Sequence, residues 1–152
     1  MAGKYSGFVA GATPVAGVAL WVLETVAAVQ ADIIEVSWGG EVTTSTAMRT
    51  RIARDSATGT GARTAGNVQK GNQHSATNGA FFSTTYATSQ PTIVAGALFG
   101  TSWNAHGGVV RWLAAPGEEF NLYDATAANC NVECRDDVGT ATSSYAVVWN
   151  EP

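Results

Sequence analysis

IIEVSWGGEVTTSTAMRTRIARDSATGTG, residues 33–61, decides how the chain is read. It holds two short runs that alternate apolar and polar residues, separated by a turn cluster. In the first, Ile34, Val36 and Trp38 are expected to point one way and Ile33, Glu35 and Ser37 the other. In the second, Met48, Thr50 and Ile52 alternate with Arg49, Arg51 and Ala53. Successive side chains leave a pleated backbone on opposite faces, so a period of two marks a half-buried strand. Gly39-Gly40 ends the first run, and Gly59 and Gly61 close the second region.

The same punctuation continues in both directions. Residues 3–9 read as a first strand anchored by Tyr5 and Phe8, and residues 11–17 as a connection. Val18 to Ala28, VALWVLETVAA, fits a helical period at Leu20, Leu23 and Ala27, but its β-branched and aromatic content favours a strand. Its first half is apolar on both parities, so both faces should be covered. Further strands are expected over 80–87, 92–100, 109–114, 119–123, around Val132, and along Tyr145, Val147 and Trp149. In the 109–114 run, Val110 and Trp112 face one way and Arg111 and Leu113 the other. Residues 103–108 and 135–144 read as turns, and Ala115-Pro116-Gly117 as a hard stop. About eight to ten short strands with Gly and Pro between them predict one all-β domain over residues 1–152, an antiparallel sandwich or barrel. A two-sheet jelly roll belongs to that class.

Residues 58–79, TGTGARTAGNVQKGNQHSATNG, hold almost no large apolar side chain. They cannot build core and read as a long polar surface excursion, either an arm ordered by a partner or a plain loop.

Charged residues make up 13% of the chain, well below the usual roughly 25%, with Ala, Thr, Ser, Gly and Asn in their place. Such a surface repels itself weakly and suits packing beside copies or partners. With a net charge of −4, 8 Lys and Arg and no basic run, the cationic footprint of a nucleic-acid binder is missing. The longest apolar run, Val15 to Leu23, is far short of the ~20 residues of a spanning helix. MAGKYSG does not read as a secretion signal, so synthesis in the cytoplasm without a leader is expected.

Motifs for chemistry are sparse. Gly61 to Gly66 starts like a phosphate loop, but Asn67 stands where the Lys should be. His74 and His106 read as solvated surface residues. Asp136-Asp137 reads as a turn rather than a calcium fragment. Glu118 and Glu119 are adjacent and point apart, so they cannot flank one glycosidic bond. Cys130 and Cys134 share a strand parity and lie about 13 Å apart along it, too far for a bridge, which favours free buried thiols. Arg49 and Arg51 share a face that either clasps an anion or a neighbouring carboxylate, or is an ordinary outward sheet face. No catalytic residue, cofactor or metal site is assigned.

In order along the chain, MAGKYSG, VALWVLETVAA, DIIEVSWGGE, MRTRIARDSATGTG, VVRWLAAPGEEFNL, ATAANCNVECR and the final YAVVWNEP carry a resemblance. Together they resemble small virion structural proteins of tailed bacteriophages, over most of the chain except 62–79. The resemblance implies a jelly-roll-like sandwich placed in the virion, a capsid decoration or cement protein that touches the major capsid protein and sits on the shell as a homotrimer, without enzymatic activity. Under it, Arg49, Arg51, Arg63, Lys70 and Trp103 are the expected subunit-interface contacts. The alternatives are a tail, baseplate, fibre or filament subunit, or a carbohydrate-binding adhesion module in which exposed aromatics such as Trp103 or Tyr123 stack on sugar rings.

Overall fold

The computed structural model describes residues 3–15, 17–25, 29–71, 79–123 and 131–152. Those residues form thirteen strands and no helix. In chain order they are β1 (Gly3–Ala12), β2 (Ala19–Glu24), β3 (Gln30–Gly40), β4 (Ala47–Ala57), β5 (Arg63–Ala65), β6 (Asn67–Lys70), β7 (Phe81–Tyr86), β8 (Thr92–Ile93), β9 (Phe99–Asn104), β10 (Val109–Leu113), β11 (Phe120–Tyr123), β12 (Val132–Val138) and β13 (Ser143–Glu151).

The pairing is nested. β1 pairs with β13, β2 with β12, β3 with β10 and β11, and β4 with β9, all antiparallel. The chain therefore behaves as one long hairpin whose arms pass alternately from one sheet to the other. Two cross-pairings, β13 with β3 and β12 with β4, knit the arms into a six-stranded and a seven-stranded sheet. This is the wrapping of a jelly roll, an antiparallel β-sandwich. The polar stretch enters as an insertion between β4 and β9. Its side chains are mostly exposed, but its backbone is paired: β5 joins β7 at the edge of one sheet, and β6 joins β1 at the edge of the other.

Two chains of aromatic rings hold the sheets together. One runs Tyr5–Trp149–Phe82–Trp21, with centroid separations of 5.8, 6.3 and 6.2 Å. The other runs Trp38–Phe99–Trp112–Phe120 and ends on a stacked pair 4.1 Å apart. Offset and tilted rings at these separations add to the area they bury. The expected inward face of β13, Tyr145, Val147 and Trp149, is fully buried, and β2 is buried on both parities.

Several expectations are corrected. Ile33, not Ile34, shares the core with Val36, both being 0% exposed. Glu35 pairs with Val148 and Ile33 with Trp149, so Ile34 is the extra residue of a bulge that resets the parity of β3. Phe8 is 54% exposed, because β1 turns Tyr5 and Gly7 inward. A Cβ on Gly7 would lie 2.8 Å from the Phe82 ring, so glycine there admits the ring against the backbone. The run at 92–100 splits into β8 and the start of β9, and Trp103 and Asn104 belong to β9 rather than to a turn. Residues 135–138, including Asp136 and Asp137, continue β12. Cys134 is a free buried thiol, as expected; Cys130 and His74 lie outside the described residues.

Candidate interaction surface

The two outward sheet faces differ. On the seven-stranded sheet, Ala19, Val22, Glu24, Ala53, Ser83 and Glu133 are all buried although they point away from the sandwich interior. The stretch between β7 and β9 folds back over this face, and Arg63 of the insertion reaches it from β5. Pro91 O accepts from Arg135 Nη2 at 2.6 Å, Gln90 Oε1 accepts from the Ala19 N–H at 3.3 Å, and β8 pairs with β4. The charged groups trapped beneath are paired, whereas the Ser83 hydroxyl is buried without a hydrogen-bond partner. Arg135 Nε lies 2.6 Å from Glu133, Arg63 pairs with Glu24, Tyr86 donates to Glu24, and Asn131 donates to Asp55 at 3.0 Å. Burial still dominates. The Glu24 carboxyl is pushed up to about 7 by burial and by the nearby Asp55 carboxylate. Glu133 is pushed up to about 7 by burial, against the hydrogen bond and charge of Arg135. Asp55 is raised by burial, against its Asn131 hydrogen bonds.

None of the described residues covers the outward face of the six-stranded sheet. The register places the side chains in rows across it. One row reads Asn67, Phe8, Ala146, Ser37, Arg111, and the next Gln69, Ser6, Val148, Glu35, Leu113. Val109 and Tyr123 stand on the same face, opposite Gly39 and Gln30. Phe8, Val109, Leu113 and Tyr123 are 54, 78, 60 and 67% exposed. A hollow of about 160 Å³ opens between Phe8 and Val109, floored by Ala146 and Ser37. Across the middle, Arg111 clasps Glu35 through two bonds of 2.7 and 2.9 Å, which holds the Glu35 carboxyl below its ordinary range. The face thus sets exposed apolar side chains around a paired cation and anion.

Arg49 and Arg51 project from the other sheet, at the margin of its covered face. Asp137 lies between them, 3.7 Å from Arg49 Nε and 2.8 Å from Arg51 Nη2. With Gly96, Thr101 and Ser102 they line an open groove of about 380 Å³. Arg51 Nε is buried in it without a hydrogen-bond partner. The remaining expected contacts are dispersed. Arg63, on β5, lies 4.8 Å over the Phe81 ring, and Lys70 ends β6 opposite Tyr5. Trp103 is half-buried rather than exposed: it packs on the core and donates its indole N–H to Thr50 Oγ1 at 2.9 Å. Tyr123 is the aromatic that stands free of the core. His106 lies exposed in the turn after β9, its Nδ1 3.2 Å from Val42 O.

The residues that sequence reasoning missed are Phe8, Val109 and Leu113. Leu113 and Val109 carry the parity opposite to Trp112, a sign that two apolar side chains alternate outward with Arg111. Among the described residues, no group of three His, Cys, Asp or Glu is placed to hold a metal ion. No protein-family model, curated protein or solved structure matches the chain.

Proposed function

We propose that the chain is a structural subunit of a tailed-phage virion, a capsid decoration or cement protein that stabilises the assembled shell by contact. The observation that carries this reading is the contrast between the two sheet faces. The stretch between β7 and β9 covers one, while the other presents Phe8, Val109, Leu113 and Tyr123 to solvent. Large apolar side chains left exposed together on one sheet face, with polar residues between them, suit an interaction site. The jelly-roll nesting and the low charge agree with the sequence resemblance.

In this reading the six-stranded sheet lies across neighbouring major capsid subunits. Contacts made only to the assembled state stabilise that state by mass action, and many copies act together. The Arg111–Glu35 clasp keeps a cation and an anion on the face without leaving either unpaired on docking. Expression with the major capsid protein from the same genome, followed by sedimentation of shells, tests this. The chain is expected in the shell fraction, and Val109→Glu with Leu113→Glu in the soluble fraction. Equal recovery of both forms with shells, or of neither, rejects the reading.

A further inference from the structure

The Arg49–Arg51 groove and the turn between β10 and β11 are complementary in charge. Two guanidinium groups share the single carboxylate of Asp137, so the groove keeps a net positive charge. Arg51 lines the groove with its side chain 27% exposed, which leaves part of the guanidinium open to an incoming acceptor. Thr101 and Ser102 line the wall, and Gly96 and Ala97 leave it without bulk. Among the described residues no aromatic ring lines it, which disfavours a sugar and favours a carboxylate carried by a peptide.

The same chain offers such a carboxylate. Ala115-Pro116-Gly117-Glu118 closes with a Glu118 N–H to Ala115 O bond of 2.9 Å, and Gly117 has φ 87°. Pro and a positive-φ Gly at the two central positions make a stiff type II turn. It presents Glu118 and Glu119, neither of which meets a cation among the described residues. The other described carboxylates are buried or already hydrogen-bonded: Asp32 to Gln30 and Asn121, Glu35 to Arg111, Glu41 to Ser144, Glu151 to Gly79 and Ala80. A stiff turn also loses little freedom on docking.

We infer that the Glu118–Glu119 turn of one copy docks in the Arg49–Arg51 groove of the next. Turn and groove are different patches, so the contact is head-to-tail, and successive copies form a ring where the rotation closes. The groove lies on the seven-stranded sheet, apart from the open face of the six-stranded one, while the turn projects from the edge of the latter between β10 and β11. This inference rests on the proposed assembly role and names the neighbour within it.

The test is sedimentation-velocity centrifugation of the full chain at graded concentrations and ionic strengths. The wild type is expected to self-associate at about 0.05 M salt and less so at about 0.5 M, where screening lengths fall below about 5 Å. Arg49→Glu, or Glu118→Lys with Glu119→Lys, is expected to weaken association about tenfold or more by placing like charges together. The variant carrying all three substitutions is expected to recover it, an outcome that misfolding cannot produce. Association that ignores both reversals overturns this contact while leaving the assembly role standing. Loss in each variant without recovery in the combination overturns it as well. A chain that stays monomeric at every concentration, yet enters the shell fraction, overturns the contact alone; one that does neither removes the assembly role too.

Discussion

The carboxylate of Glu151, at the end of β13, accepts the backbone N–H of Gly79 at 2.7 Å, seventy-two residues away in sequence. Its other oxygen accepts from Ala80 N at 3.0 Å and from Trp149 Nε1 at 3.0 Å. One side chain thus fixes the approach to β7 on the closing strand of the other sheet. Ala80 and Phe82, which follow, are in the core. Glu151→Ala leaves these donors without their acceptor and is expected to cost about 1–3 kcal/mol, with Glu151→Gln losing less. Urea unfolding measures both; equal stability of all three proteins contradicts the assigned role.

Asp136 is buried between Thr50 and Tyr145, with the Tyr145 hydroxyl 2.5 Å from Oδ2. Burial raises the Asp136 carboxyl above its ordinary value, and the two hydroxyl donors oppose that shift. Tyr145→Phe removes one donor from the charged form. Destabilisation of about 1–3 kcal/mol is expected at pH 7, shrinking toward pH 4 as the carboxyl takes up its proton. A loss independent of pH points to packing alone.

Gly40 ends β3 against the backbone of Ala105, and an added Cβ would overlap the Ala105 carbonyl. Backbone on both sides leaves nothing flexible to yield. Gly40→Ala is expected to lower stability by about 1–3 kcal/mol, read as a lower thermal midpoint. Gly107, where φ is 76° and a Cβ meets open space, is a comparison site that tests backbone conformation without a clash.

Glu24 and Glu133 set the pH dependence. Their folded-state values of about 7 lie above the ordinary 4.5. Between these limits the folded chain binds more protons than the unfolded chain, so stability falls as pH rises. Glu35, held below its ordinary value by Arg111, acts in the opposite sense: its contribution is lost as pH falls through the carboxylate range. Maximum stability is therefore expected near pH 5, with a decline through pH 7. Urea midpoints at graded pH measure it, and Glu24→Gln with Glu133→Gln is expected to flatten the decline. A midpoint that rises from pH 5 to 8 contradicts this.

Much of the fold is legible in local alternation. The parities of β4, β10 and β13 follow from the sequence because each strand has one solvated and one buried face, or two buried faces filled by apolar residues. The bulge at Ile34 carries no local mark: its neighbours are apolar on both sides, and only pairing with Val148 and Trp149 reveals it. Arg135 and Asp136 look like turn residues because their burial depends on Pro91, Thr50 and Tyr145, which are distant in sequence. The pairing of β5 and β6 is invisible for a related reason. Edge strands built from Arg, Thr, Asn and Gln bury little side chain, Val68 alone packing on the core, and their backbone bonds are what reveal them. The arginines of the groove were legible from parity, as was the side of β10 that carries Arg111 and Leu113, but not that this face stays open. Exposure of Phe8, Val109 and Leu113 follows from what fails to cover them.

Photochemical footprinting of Phe8, Val109, Leu113 and Tyr123, in the free chain and in shells assembled with the major capsid protein, tests the central claim most directly. The account predicts strong labelling of all four side chains in the free protein and protection of the four together in the shell. Labelling that is unchanged on assembly, with the chain present in the shell, would contradict it.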